Sequence, residues 1–269
     1  MLNVSSPSFA GKTLILPAVS YGNVGQLAVD ILLSTALSTG NANSAGHLQS
    51  RHLLPICGSD PFSIPSAPSA VATPCQLFDC PRANAIVMQR RSMCVKGRSS
   101  HFATELAAWC KEQKFAQVIV LAGADSGALR DRSMHESLQQ GNIHYVTSTD
   151  VNTNFDYASW EPFTQAERDP NGDLVANSGA TYPANVHMAG LSKKLYVACQ
   201  ELAIPVISLL CFVSEGYNVP DGVRLATSLC EHLPGLVPQG TDEAPGRWVI
   251  PSSWGQLSQD VAAPSSLFY

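Results

Sequence analysis

The hydrophobic pattern of the chain alternates between short, continuous apolar runs and longer stretches with helical spacing. The run Thr13–Val19 is too short for a stable helix and has no polar alternation, which predicts a strand covered on both faces. Residues 26–37 carry apolar side chains about one helical turn apart and predict a helix. The first unit is therefore a predicted strand, a glycine-containing loop at Ser20–Gly25 and a helix.

Two later units repeat this alternation. The first contains a predicted strand at 86–94, a helix at 101–114 and a strand at 118–122. The second contains a helix at 191–203, a strand at 205–213 and a helix at 221–233, with Asp221 predicted as its N-cap. Alternating strands and helices predict an α/β fold, here a single domain with a mostly parallel central sheet covered by helices on both faces.

The domain is expected to span residues 1–256 and to be followed by a flexible C-terminal tail at 257–269. Two irregular loops interrupt the pattern. Residues 60–74 mix proline with Ser and Ala, and residues 150–189 mix Asn, Asp, Gly and Pro. The aromatic side chains expected to attach the longer loop to the body are Tyr157, Trp160 and Phe163.

Composition excludes several classes of partner. The 269 residues include 16 Lys and Arg against 21 Asp and Glu, for a formal net charge of −5. Because the positive residues are scattered, we expect no nucleic-acid partner. No apolar run approaches the roughly 18 residues of a membrane span, so we expect no membrane partner and an intracellular, soluble protein.

The eight cysteines do not form a metal motif. They include no C-x-x-C pair and several lie in apolar runs, which is typical of buried free thiols. Cys75 and Cys80 are predicted to lie in a proline-flanked loop, and no matching pair completes a zinc site. We therefore expect no metal site.

Two glycine-containing segments partly match motifs for phosphate binding and for nucleophilic catalysis. The loop Gly22–Gly25 lacks the glycines of a dinucleotide fingerprint and the lysine of a P-loop, so a tight turn is favoured over phosphate binding. The segment Gly123–Gly127 has Asp125 where a nucleophile elbow requires serine. An enzyme of the nucleoside phosphorylase or hydrolase type stays an alternative, although only Glu215, Asp125 and Asn23 would serve it. An interaction scaffold with an unrelated partner is a further alternative.

Three separated stretches point to a family. They are Leu14–Asp30, Phe212–Asp221 and Arg247–Trp254, and in these stretches the chain resembles the proteasome assembly chaperone 2 family. The resemblance implies a chaperone without enzymatic activity or cofactor. It also implies a heterodimer with proteasome assembly chaperone 1, binding to proteasome α-subunits during α-ring formation, and a location in the cytoplasm and also the nucleus.

The resemblance gives the tail a role. Family members carry a C-terminal hydrophobic-tyrosine-any motif that enters a pocket between neighbouring α-subunits. The corresponding residues are Leu267, Phe268 and Tyr269, so phenylalanine replaces the tyrosine and its hydroxyl group. We expect these residues to bind the α-ring pocket, with the terminal carboxylate pairing with a buried cation.

A second surface is predicted at the carboxyl ends of the strands, where parallel sheets usually meet ligands or partners. The loops that follow the first and last predicted strands are expected to lie close together. Their glycines permit close approach, and the low charged fraction of 14% fits a covered patch. The predicted partner interface comprises Gly22, Asn23, Val24, Gly25, Glu215, Gly216, Asn218 and Val219.

Overall fold

The computed structural model describes residues 9–62, 71–128, 143–148, 160–163, 190–237 and 248–254, and the backbone of 167–168 and 174–175. Twelve strands and four α-helices lie in this part of the chain. The strands are β1 (Thr13–Pro17), β2 (Asn43–His47), β3 (Gly58–Ser59), β4 (Val71–Ala72), β5 (Cys75–Cys80), β6 (Ala85–Arg90), β7 (Gln117–Asp125), β8 (Ile143–Thr147), β9 (Trp160–Pro162), β10 (Glu167–Arg168), β11 (Leu174–Val175) and β12 (Val206–Val213). The helices are α1 (Val24–Ser38), α2 (Ser99–Glu112), α3 (Ser192–Glu201) and α4 (Val219–His232).

Eight strands form one mixed sheet in the order β2-β5-β6-β1-β7-β12-β8-β9. Its centre is parallel, because β1 pairs with β6 and β7, and β7 pairs with β12. Antiparallel pairs join β2 to β5, β5 to β6 and β8 to β12. The predicted α/β domain with a mostly parallel central sheet is confirmed.

The two faces of the sheet carry separate hydrophobic cores. Side chains alternate along β1, so Leu14 and Leu16 pack on the face covered by α2 and α3, whereas Ile15 packs on the face covered by α1 and α4. The same alternation continues in β7 and β12. Strands buried on both sides need continuous apolar sequence, which explains why these three were predictable.

Helix α1 is buried on nearly every side, including its polar residue Asp30, which is 7% exposed. The Asp30 carboxylate accepts hydrogen bonds from Gln89 Nε2 and from Arg91 Nη2, both at 2.7 Å. Arg91 in turn lies over the ring of Phe62, 5.4 Å from its centroid. This network ties α1 to the end of β6 and to the loop after β3.

Several element boundaries differ from the predictions. Helix α4 begins at Val219 rather than at Asp221, so the predicted N-cap is wrong and Asp221 lies in the first turn. Pro220 fits the first turn of a helix, where no backbone N–H is needed, and the helix can therefore begin before it. The strand predicted at 86–94 ends at Arg90, and Cys75–Cys80 forms β5 rather than a loop.

The two predicted loops lie partly outside the described residues. From the first, residues 71–72 form β4 against β3, and 63–70 are outside the description. From the second, Trp160 and Phe163 are buried against the body as expected, whereas Tyr157 lies outside the described residues. The boundaries of the domain and the tail at 256 and 257 stay predictions.

Most of the cysteines are buried free thiols, as predicted. All eight are free thiols, of which five are buried, Cys94 and Cys230 are half-buried, and Cys57 is exposed. Within the described ranges, no group of three or more His, Cys, Asp or Glu side chains is arranged to hold a metal ion. None of the described helices is long and apolar enough to cross a membrane.

Candidate functional site

The carboxyl ends of β1, β7 and β12 meet at one edge of the sheet because the three strands are parallel neighbours. Side chains from the loop after β1 tie these ends together. Ser20 Oγ accepts the backbone N–H of Gly123 at 2.8 Å and donates to the carbonyl of Ala18 at 3.2 Å. The loop after β1 is thereby fixed against β7.

The loop after β1 also lies directly against the loop after β12. Gly22 has φ +64°, and a Cβ at this position would lie 2.6 Å from Asn218 Nδ2. Only glycine combines this left-handed backbone with such a close neighbour. The predicted proximity of the two loops is therefore confirmed, and Gly22 is the residue that permits it.

An open cleft of about 480 Å³ lies at the ends of β7 and β12. We call it the β12 cleft, and its polar lining includes Ser126, Ser214, Glu215, Asp221 and Arg224. The two serine hydroxyls are 3.0 Å apart, and Arg224 Nη2 donates to Asp221 Oδ1 at 2.8 Å. The polar groups of the cleft are therefore largely engaged with one another.

Negative charge collects beside the cleft. The pKa of the Tyr21 hydroxyl is raised, mainly by desolvation and also by the nearby carboxylates of Asp125 and Glu215.

The Cys211 thiol lies close to Arg224 at the same end of the sheet. Burial raises the pKa of this thiol, although Arg224 Nη2, 3.2 Å from its sulfur, opposes the rise. Cys211 is therefore a protonated thiol near neutral pH rather than a nucleophile.

The arrangement favours binding over covalent chemistry. A serine nucleophile needs a base within hydrogen-bond reach, whereas the hydroxyls of Ser126 and Ser214 bond to each other. Asp125 Oδ1 accepts the backbone N–H of Gly127 at 2.9 Å and so stabilises its own turn. Among the described residues of the cleft, these contacts assign the serines and Asp125 to loop structure.

Comparison with known proteins identifies the family. The sequence profile described as the PAC2 family matches residues 14–239, which is most of the chain. The chain belongs to the PAC2 family. It is 31% identical over 267 residues to human proteasome assembly chaperone 2, covering 98% of this chain and 97% of that protein. The corresponding protein of Nematostella vectensis is 30% identical over 235 residues, or 86% and 93% of the two chains.

Solved structures share the fold of this PAC2-family chain at low sequence identity. PbaA of Pyrococcus furiosus, an archaeal homologue of proteasome-assembly chaperone, superposes with a TM-score of 0.62 at 14% identity, over 97% of this chain and 94% of that one. PbaB of the same organism, an archaeal proteasome activator, gives 0.55 at 12% identity, over 97% and 95%. The family confirms the prediction of a non-enzymatic chaperone, and the nucleoside-enzyme alternative is set aside.

The residues predicted for the partner interface of the PAC2-family chain divide into two groups. Exposed or half-buried positions are Gly22, Asn23, Glu215, Gly216 and Val219. Buried positions are Val24, Gly25 and Asn218, which pack inside the monomer. The buried residues lie at the starts of α1 and α4 and do not belong to an accessible interface, whereas the exposed and half-buried residues form the surface. The tail residues Leu267, Phe268 and Tyr269 lie outside the described residues.

Tyr217 lies in the resembling stretch Phe212–Asp221 but is not among the predicted interface residues. Its side chain is 75% exposed, at the tip of the loop after β12 and on the rim of the cleft. An aromatic residue in a glycine-containing loop at a strand's carboxyl end is a signal that could have identified it. Exposed tyrosines are typical anchors of protein interfaces.

The third stretch of the family resemblance forms a strap across α1. Residues 248–254, which we call the strap, pass from α4 towards the loop after β3. Val249 N–H donates to Thr35 Oγ1 at 3.0 Å, and Ser252 Oγ donates to the carbonyl of Pro61 at 2.9 Å. Trp248 and Trp254 pack on the core beside α1. The strap fixes the point from which residues 255–269 continue.

Proposed function

We propose that this PAC2-family protein is a proteasome assembly chaperone that pairs with proteasome assembly chaperone 1 and binds α-subunits while the α-ring forms. The observation that carries the proposal is its 31% identity to human proteasome assembly chaperone 2 over nearly the whole of both chains. The cytoplasm, and also the nucleus, are the compartments in which we place this activity.

The loops at the carboxyl ends of β1 and β12 are the surface proposed for the partner chaperone. Asn23 and Glu215 are exposed there, and Tyr217 offers a large apolar ring with a polar tip. The loops are held by the Gly22 and Asn218 contact, so little ordering accompanies binding. A preorganised rim with one exposed aromatic anchor suits a stable protein interface.

The interface is tested by co-purification with proteasome assembly chaperone 1. Tyr217→Asp places a charge at the centre of the proposed contact and should lower recovery of the partner at least tenfold. Val197→Asp is the matched control, because Val197 is 42% exposed on α3 and outside the proposed rim. Equal recovery with both variants would show that the partner binds elsewhere.

The tail is proposed to contact the α-ring separately. The apolar side chains of Leu267, Phe268 and Tyr269 would fill a groove, and a carboxylate at Tyr269 would pair with a buried cation. Three residues alone give weak binding, because ordering the tail opposes it. Useful affinity requires that the tail and the body, or the tail of a partner, bind together.

The tail is tested by recovery of α-subunit intermediates. Deletion of Leu267–Tyr269 should reduce recovery roughly a hundredfold, at the lower end of what linked binding provides, and leave the heterodimer intact. Adding one glycine after Tyr269 keeps every side chain but moves the carboxylate, so it should reproduce most of the loss. Unchanged recovery by both variants removes the tail from the mechanism without affecting the proposed heterodimer.

A further inference from the structure

The start of helix α2 combines positive charge with unsatisfied backbone donors. The helix has no side-chain cap, and its first turn contains no acidic residue. Its N-cap position is occupied by Arg98, and Lys194 of α3 donates from Nζ to Ser99 Oγ. The positive end of a helix dipole favours negative charge, so cations at this end are electrostatically unfavourable unless an anion joins them.

A buried arginine lies beneath the same turn. Arg90 is 1% exposed, and its guanidinium lies over the ring of Phe102 in α2, 5.7 Å from the centroid. Its Nε has no hydrogen-bond partner, and its Nη1 makes only long contacts, 3.4 Å to the carbonyl of Ser92 and 3.6 Å to Cys94 Sγ. In the described part of the chain it meets no carboxylate. Buried charges normally have a partner.

Cys94 connects the two observations. Its half-buried thiol contacts Arg90 directly, and Lys194 acts on it electrostatically. Burial raises the pKa of the thiol, and these two cations oppose the rise. Arg90, Cys94, Lys194 and Ser99 therefore form one continuous cluster at the uncapped end of α2.

We infer that this cluster, together with the free N–H groups of the first turn of α2, is a binding site for a small phosphate-type oxyanion. The helix end supplies backbone donors, Ser99 supplies a hydroxyl, and Lys194 and Arg90 supply charge, which is the donor set that phosphate requires. The donors named here engage only an anionic group, so the proposed occupant is a small anion rather than a nucleotide. This site lies on the α2 and α3 face of the sheet, and it does not depend on the proposed partner surface.

The thiol of Cys94 provides a local readout in the full-length protein. Alkylation of Cys94 by iodoacetamide is followed by mass spectrometry of its peptide, in potassium phosphate and in potassium chloride of equal ionic strength. At a phosphate concentration ten times the Kd, about one protein molecule in eleven has an empty site. Alkylation of Cys94 should therefore slow roughly tenfold. The exposed thiol of Cys57 is the internal control and should react at the same rate in both salts.

Variants and alternative anions decide the outcome. Lys194→Ala should abolish the protection, whereas Lys193→Ala, which changes the adjacent residue, should retain it. Phosphoserine is tested beside inorganic phosphate, and protection by the first alone would assign the site to a phosphate monoester. Equal alkylation rates in phosphate and chloride, equal protection in Lys194→Ala, or protection only by a glutamate-rich peptide would each overturn the inference.

Discussion

Gly25 at the start of α1 lies directly against the carbonyl oxygen of Leu121 in β7. A Cβ at Gly25 would be closer than 3.0 Å to that oxygen, a separation that real Cβ atoms essentially never show. The obstructing group is backbone in a central strand, so it cannot move aside as a flexible side chain would. The close approach of α1 to the sheet therefore depends on this glycine.

Gly25→Ala should destabilise the protein although alanine is the better helix former. The gain in helix propensity is about 1 kcal/mol, whereas overpacking of a core contact costs about 1 to 3 kcal/mol and a backbone obstacle sets the upper end. We expect a net loss of about 2 kcal/mol in urea unfolding. Gly58→Ala, with open space around it, should change stability by less than about 0.5 kcal/mol. Equal stability of the two variants would mean that α1 shifts freely.

The buried carboxylate of Asp30 predicts a second loss of stability. Asp30→Asn keeps the shape of the side chain but removes the charge that pairs with Arg91. Breaking a buried ion pair costs about 3 to 5 kcal/mol, and we expect the lower value because the Arg91 side chain retains 25% exposure. Asp221→Asn is the control, because its pair with the 40% exposed Arg224 should contribute less than about 1 kcal/mol. Urea unfolding of both variants measures the difference.

The central sheet was predictable because its strands are apolar on both faces, whereas the edges were not. Strand β2 has the sequence Asn-Ser-Ala-Gly-His and lies at the edge, where one neighbour is enough and apolar side chains are not required. Strand β5 lies between Pro74 and Pro81, and Gln76 and Asp79 interrupt its apolar residues, so the local sequence predicts a loop. Pairing with β6 and β2 decides its conformation, and that is a tertiary effect.

The candidate surface was predictable as a location but not residue by residue. The carboxyl ends of parallel strands lie at one edge of the sheet, which predicts that Gly22 lies next to the loop after β12. The structure shows this proximity. The predicted interface includes Val24 because this residue lies within the glycine-containing loop after β1. The structure buries Val24, because α1 begins at this residue and its side chain lies in the core beside Gly123 of β7. The contact with β7 joins residues far apart in sequence, which no local pattern encodes.

The cysteines should differ strongly in reactivity. Burial raises the pKa values of Cys75 and Cys199 to about 12, so at pH 8 both are protonated and shielded. Cys57 is exposed and should react first with N-ethylmaleimide in the native protein. Peptide mass spectrometry after a short pulse measures this order, and the same pulse in guanidinium chloride should label all sites. Rapid native labelling of Cys75 would contradict the described packing.

His144 should make stability depend on pH. Burial lowers its pKa below the ordinary value of 6.5, and Glu161 only partly opposes this shift. The unfolded chain then binds a proton more readily than the folded one, so stability is retained above pH 6.5 and lost as pH falls towards the folded pKa. His144→Phe should flatten this part of the profile, because phenylalanine keeps the edge contacts with Phe163 and Phe212. Urea unfolding of both proteins between pH 7 and pH 5 measures the slope, and an unchanged slope in His144→Phe would contradict this role of His144.

Thr35 should control how firmly the strap is held against α1. Thr35→Val keeps the shape of the side chain but leaves the Val249 N–H without its acceptor. Losing this hydrogen bond costs about 1 kcal/mol, so the equilibrium constant for local opening of the strap should rise roughly fivefold. Hydrogen exchange of residues 248–254 should accelerate by that factor, while exchange within α1 should change little. Ser38→Ala is the control, because Ser38 Oγ donates within the helix to the carbonyl of Thr35 and does not contact the strap. If both variants leave exchange in the strap unchanged, Trp248 and Trp254 hold it by packing alone, and the hydrogen bond from Val249 is dispensable.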